Sequence, residues 1–179
     1  MSPRRFHIAT DDEIASGIVT DVYFQRTEEA LRARQADKRV VGEMRASSLP
    51  SGWPWAVLAG VEEVARLFEG LPVNVWMPPE GTVFRAGEPV LTIEGDYLAF
   101  GRFETSFLGL TCQATGIATR AARCRIAAED RVLLSFGARR MHPAIAPMIE
   151  RACYVGGCDG VSTILAADLI LVIDRGKIV

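Results

Sequence analysis

One stretch limits the architecture more than any other. From Phe103 to Arg125 the pattern is helical, and many of its residues are small: Thr105, Gly109, Ala114, Gly116, Ala118, Ala121 and Ala122. Small side chains let a neighbouring element approach a helix closely, so this helix is expected to be buried. The chain on either side follows different rules. Before it lie short alternating segments broken by Gly and Pro; after Glu129-Asp130 come longer apolar runs separated by helical patterns. The first grammar belongs to small antiparallel sheets and the second to parallel α/β construction.

Composition permits both. The chain has 179 residues, 49% of them hydrophobic and 23% charged, enough apolar material for one domain or for one and a small extra piece. Lys and Arg number 20 against 22 Asp and Glu, a net charge of −2, and no basic block is present, which argues against a general nucleic-acid binder. No apolar run approaches the roughly 18 residues of a membrane span. Arg4 and Arg5 lead into His7, Asp11, Asp12 and Glu13 rather than into the apolar core of a signal peptide, so a cytoplasmic location without membrane attachment is expected. Cys112, Cys124, Cys153 and Cys158 form no CxxC pair, and only His7 and His142 stand beside them. Reduced thiols are expected, and no metal site.

Along the chain, Thr10-Asp11-Asp12-Glu13 has the order of a capping box. Thr20-Asp21 opens a helix bearing Val22, Tyr23, Thr27, Ala30 and Leu31, and Val40 to Arg45 reads as a strand. Val61, Val64, Ala65 and Phe68 mark a short amphipathic helix. Between Val73 and Asp96, short extended segments separated by turns predict a β meander. Past a boundary at residues 126–131, Val132–Phe136 reads as a strand covered on both faces and Pro143–Tyr154 as a helix with Pro147 in its first turn. Ser162 is placed as the cap of a short helix ending near Asp168, and Leu169–Ile173 as another strand. The domains expected are therefore residues 1–128 and 129–179.

Chemistry can sit in three places. In Phe136-Gly137-Ala138-Arg139-Arg140-Met141-His142-Pro143, two guanidiniums at the carboxyl end of a strand suit a phosphate or pyrophosphate, and Phe136 can stack on an aromatic ring; surface ion pairing is the alternative. His142 before Pro143 reads more readily as a packing or capping residue than as a base. Gly156-Gly157-Cys158-Asp159-Gly160-Val161-Ser162 sets a carboxylate in a glycine-lined loop, either beside a ribose or ring nitrogen or amid simple helix caps; it is not a generic nucleotide motif. Tyr23 alone reads as a core aromatic. The strip Glu80–Leu91 has the glycine punctuation of a lipoyl or biotinyl carrier but displays no Lys at a hairpin tip, which removes that reading.

In order and together, these segments resemble nicotinate phosphoribosyltransferase, a type II phosphoribosyltransferase, over roughly Thr20 to Asp168. The resemblance rests on Thr20-Asp21-Val22-Tyr23-Phe24, Gly87-Glu88-Pro89-Val90-Leu91, Phe103-Glu104-Thr105-Ser106-Phe107-Leu108-Gly109 and Thr115-Gly116-Ile117-Ala118-Thr119-Arg120-Ala121-Ala122-Arg123. It also rests on Ser135 to Pro143 and Gly156 to Ser162. It implies an α/β chain: an α+β, sandwich-like N-terminal domain followed by the first βα units of a barrel, incomplete here. It further implies joining of nicotinate to phosphoribosyl pyrophosphate, with Mg²⁺ on the phosphates, giving nicotinate mononucleotide and pyrophosphate in NAD salvage. By the same resemblance, Tyr23 closes over the pyridine ring from a neighbouring subunit and Phe136 lies on the opposite face. Arg139 and Arg140 hold phosphate oxygens, and Asp159 and Ser162 belong to the substrate loop.

The family also carries a Gly-Thr-x-Pro-His segment whose His accepts a phosphoryl group from ATP. Here the sequence runs Ile170-Leu171-Val172-Ile173-Asp174-Arg175-Gly176-Lys177-Ile178-Val179 instead, so ATP coupling is not expected of this chain alone. An eight-stranded barrel of about 250 residues cannot be formed from the residues after Arg131. Two readings follow: an enzyme completed by a homo-oligomer or a complementing chain, or a catalytically inactive fragment acting as an interaction module. A lone barrel opening exposes apolar strand faces and unpaired edges and predicts association or poor solubility.

Overall fold

The computed structural model describes residues 5–50 and 52–177, with side chains as far as Ile170. Arg4, Ile178 and Val179, which enter the sequence reading, lie outside the described residues. The elements are α1 (Asp11–Ala15), α2 (Val22–Ala33), β1 (Arg39–Arg45), β2 (Ala56–Val57), α3 (Val61–Phe68), β3 (Val73–Trp76), β4 (Val83–Phe84), β5 (Pro89–Asp96), α4 (Tyr97–Phe100), α5 (Glu104–Ala128), α6 (Ala146–Val155) and α7 (Ile164–Lys177). Short 3₁₀ turns occupy Gly101–Phe103 and Ala138–Arg140.

The mixed α/β class holds. Three antiparallel strands in the order β1-β5-β3 form the main sheet, and β2 pairs with β4 in a second. The meander is therefore replaced: β4 leaves to join β2, and β5 inserts between β1 and β3. Turn residues announced where the chain bends, but strand partners depend on burial. Phe84 is drawn away because it packs with Ala56, Leu58, Val61 and Val90 in a cluster of its own. On the main sheet, Leu91 and Ile93 point inward against Val64, Leu67 and Phe68 of α3 and against Phe100, Phe103 and Phe107. Val41 and Trp76 point outward and are exposed, giving an open-faced sandwich.

Helix α5 is the axis of the molecule, as its composition predicts, but only one side is buried. Thr111, Ala114, Ala118, Thr119 and Ala121 face inward, while a Cβ at Gly109 or Gly116 would meet no atom within 4 Å. The close approach is made elsewhere. Gly156 caps α6 where any side chain would strike the Ala118 carbonyl, so α5 and α6 touch backbone to backbone. Arg151 of α6 adds ion pairs to Glu62 and Glu80 at 2.6 and 2.8 Å, tying this helix to the N-terminal layer.

After α5 the parallel grammar is present in its smallest form. Leu134 bridges Gly160 in parallel, with Asp159 N donating to Leu133 O at 2.8 Å, Ser135 N to Gly160 O at 2.9 Å, and α6 as the crossover. Among the described residues, the strand expected at Val132–Phe136 is thus reduced to one bridge, and Val132, Leu134 and Phe136 are exposed rather than covered on both faces. Leu169–Ile173 is not a strand; it lies inside α7. A short apolar run fits either state, and here the helix begun at Thr163 simply continues. Thr163, not Ser162, caps that helix, accepting from Ala166 N at 3.4 Å.

Candidate functional site

The site is assembled around the Leu134–Gly160 bridge, whose two segments run in the same direction. Phe136, Arg139 and Arg140 follow the first segment past its carboxyl end, and Ser162 follows the second. This is the side on which parallel α/β folds gather ligands. Phe136 is 71% exposed. Both arginines lie exposed in a 3₁₀ turn set by Arg140 N to Gly137 O and Met141 N to Ala138 O, each 3.0 Å. Two cations and an aromatic ring, close in sequence, are thus all presented to solvent. His142 is a cap: its Nδ1 accepts from Ala144 N at 3.1 Å, and its carbonyl accepts from Ala146 N at 3.1 Å.

Asp159 and Ser162 are already engaged. Asp159 Oδ2 accepts from Leu133 N at 2.7 Å and from Arg125 Nη2, and these bonds, the backbone one foremost, hold its pKa below the usual aspartate range. The Ser162 hydroxyl donates to Glu150, as does its amide at 3.1 Å. Two residues that sequence reasoning missed therefore organise the loop. Glu150 is 1% exposed and also takes Thr163 N and Oγ1 at 2.8 and 2.6 Å. Burial works to raise its pKa, but the four hydrogen bonds outweigh that and lower it. The available signal is a carboxylate on the buried stripe of α6, four residues from Ala146. Arg125 reaches the carbonyls of Gly157, Glu129 and Arg131 at 2.8, 3.1 and 2.8 Å in addition to Asp159, clasping both segments to the end of α5. Nothing near it in sequence announces that, because Asp159 is 34 residues away. Cys158 is buried beside this loop, and burial pushes its thiol up to about 11.

Tyr23 lies elsewhere. It is 55% exposed on the first turn of α2, its ring tilted against that of Phe24 with centroids 4.2 Å apart. Partial desolvation, with the negative charges of Asp21 and Glu104 adding to it, raises its pKa. The expected capping hydrogen bond of Asp21 is absent; its Oδ2 accepts from Thr105 Oγ1 at 3.0 Å instead, fastening α2 to the start of α5. Asp159 is fastened near the end of the same helix. Thr105 and Arg125 are separated by on the order of 30 Å at 1.5 Å per residue, so one copy cannot bring Tyr23 to the Asp159 loop. Among the described residues no three His, Cys, Asp or Glu side chains converge as a metal site, and no helix is long and apolar enough to cross a membrane.

Residues 21–133 match the family model for the quinolinate phosphoribosyl transferase N-terminal domain. A nicotinate phosphoribosyltransferase of Mycobacterium tuberculosis is 29% identical over 91% of this chain and 43% of its own length. The crystal structure of nicotinate-nucleotide pyrophosphorylase from Pyrococcus furiosus superposes with a TM-score of 0.91 and 56% identity, over 93% of this chain and 43% of that one. Human nicotinic acid phosphoribosyltransferase superposes with a TM-score of 0.76 and 28% identity, over 84% of this chain and 37% of that one. The chain thus spans less than half the length of these relatives. A family match over most of the sequence, carried by a fold that relatives of both kinds share, makes this chain a member of the quinolinate and nicotinate phosphoribosyltransferase family, of which it holds the N-terminal part.

Proposed function

We propose that this chain serves the transfer of a phosphoribosyl group to the ring nitrogen of a pyridine carboxylic acid, nicotinate in the first instance, in NAD salvage. The bond from ribose C1 to pyrophosphate breaks as the bond from C1 to the ring nitrogen forms. Arg139 takes the pyrophosphate oxygens, with Arg140 assisting, because charge builds there as the leaving group departs. Phe136 lies along one face of the pyridine ring, and Asp159 and Ser162 line the loop on the ribose side. Mg²⁺ arrives with phosphoribosyl pyrophosphate and neutralises part of its charge; the described residues offer no resident cluster for it. ATP coupling is not assigned to this chain. Catalysis needs no protein nucleophile, only positioning and a cationic clamp.

The observation that carries the reading is that exposed Phe136 and the exposed turn bearing Arg139 and Arg140 follow the Leu134–Gly160 bridge at its carboxyl end. The length of α5 supports a site completed across an interface, with Tyr23 supplied by a second copy. A second reading is a catalytically inactive interaction module in the cytoplasm, in which Asp159 and Ser162 serve only the loop bonds they already make. The two separate on one assay: formation of nicotinate mononucleotide from nicotinate, phosphoribosyl pyrophosphate and Mg²⁺, with and without ATP. Turnover abolished by Arg139→Ala supports the enzyme, whereas a folded chain that neither turns over nor binds phosphoribosyl pyrophosphate supports the module.

A further inference from the structure

A cleft of about 450 Å³ opens between α5 and the segment joining β1 to β2, and residues of the Arg139 loop are not among its lining. Met44, Trp53, Phe84, Val90, Leu108 and Gly116 line it. Three threonines also face it, but their hydroxyls are turned to the protein. Thr111 donates to Phe107 O at 2.9 Å, Thr115 to Ala59 O at 3.1 Å, and Thr119 to Thr115 O at 2.7 Å while accepting from Val57 N at 2.9 Å. What remains to meet a ligand is mostly methyl, methylene and indole surface; Ser48 and Cys112 also line the cleft, as does Arg45, which is already paired with Glu43 and the Gly87 carbonyl. The volume lies within the range of small-molecule sites.

Two cations stand one helical turn beyond the cleft on α5, against Trp53, which lines it. The guanidinium of Arg123 lies 4.5 Å from the Trp53 ring and 5.0 Å from the Trp55 ring, and that of Arg120 lies 5.0 Å from Trp53. Stacking on indole satisfies the flat faces of a guanidinium but not its N–H groups. Nε and Nη2 of Arg123 are buried and have no hydrogen-bond partner. Buried donors left open on a cation are costly unless an acceptor completes them, and a carboxylate matches the paired geometry of the fork.

We propose that this cleft binds an amphipathic carboxylate, its anionic head on Arg123 and Arg120 beside Trp53 and its apolar body along the open face of α5. The site is independent of the phosphoribosyl chemistry. It uses neither the Arg139 loop nor Tyr23, so a chain without turnover still tests it.

The probe is dodecanoate below its micelle concentration, titrated into the purified chain carrying Trp76→Phe so that Trp53 and Trp55 report by fluorescence. Saturable one-site quenching is expected, with dodecanol at least about tenfold weaker and dodecyltrimethylammonium without effect. Arg123→Gln should weaken dodecanoate about tenfold while leaving dodecanol unchanged. Gly116→Leu fills the cleft without a clash, since a Cβ there meets nothing within 4 Å, and should abolish binding of both with the circular dichroism spectrum retained. Should Arg123→Gln fail to fold, Arg120→Gln and Gly116→Leu decide. The proposal is overturned by non-saturable quenching, by equal affinity for all three amphiphiles, or by dodecanoate binding indifferent to the Arg and Gly116 substitutions.

Discussion

Glu150 and the two hydroxyl residues it holds show how a single buried carboxylate can fix a loop. Replacing it by Gln leaves an amide group facing donors, and Glu150→Gln should lower stability by roughly 1–3 kcal/mol in urea unfolding. Its pH signature has a definite sign. The folded carboxyl has a pKa below the ordinary 4.5, so its contribution is complete above that value and is lost as the pH falls through the folded pKa. Unfolding curves taken stepwise into acid should show that loss in the native chain and a smaller one in Glu150→Gln; equal losses would assign the effect to other carboxylates. At this scale the sequence was legible only where partners are near. Thr10 and Glu13 exchange both bonds of the expected capping box, at 3.2 and 2.9 Å. Arg125 and Glu150 act across the fold, and their neighbours in sequence say nothing of it. Ser162, expected as a cap, gives its hydroxyl to Glu150 instead.

At the scale of elements, α5 is held by contacts that a conservative change can break. Thr119→Val preserves shape but leaves Val57 N without its acceptor in a buried place, and should cost roughly 1–3 kcal/mol. Gly156→Ala drives a methyl group into the Ala118 carbonyl and must push α6 off α5; a loss of roughly 1–3 kcal/mol is expected in thermal or chemical melts, with far-ultraviolet dichroism little changed. Wild-type stability in either variant would mean that the α5–α6 contact yields without cost. Helices with a periodic apolar face, such as α3 and α6, were readable because period and length agree. The Leu169–Ile173 run and the order β1-β5-β3 were not, since an apolar run has no intrinsic period and pairing is chosen by the burial of distant residues such as Phe84.

For the whole molecule, the apolar surface around the bridge matters most. Val132, Leu134, Phe136, Ile164 and Leu165 are all exposed on the C-terminal part, and Ile164 is 85% exposed. A surface of this kind associates. Sedimentation velocity should show a mass that rises with concentration, and the pair Phe136→Ser and Ile164→Ser should return it toward one copy; a concentration-independent monomer would refute the expectation. The family was legible from six short segments because their order is specific, whereas the substrate loop was legible only as a set of residue types. Which end of the molecule each residue occupies came from the fold alone.

That division rests on α5, and a helix transmits angle as well as distance. Each residue turns the chain by about 100°, so deleting one residue from its middle would leave Asp21 and Thr105 joined at one end while rotating the Arg125 clasp about 100° away from Gly157 and Asp159 at the other. The helix behaves as a keyed shaft. Changes in its length are tolerable only where they return the two ends to the same phase, as an insertion of seven residues nearly does, at the cost of moving the ends about 10 Å further apart.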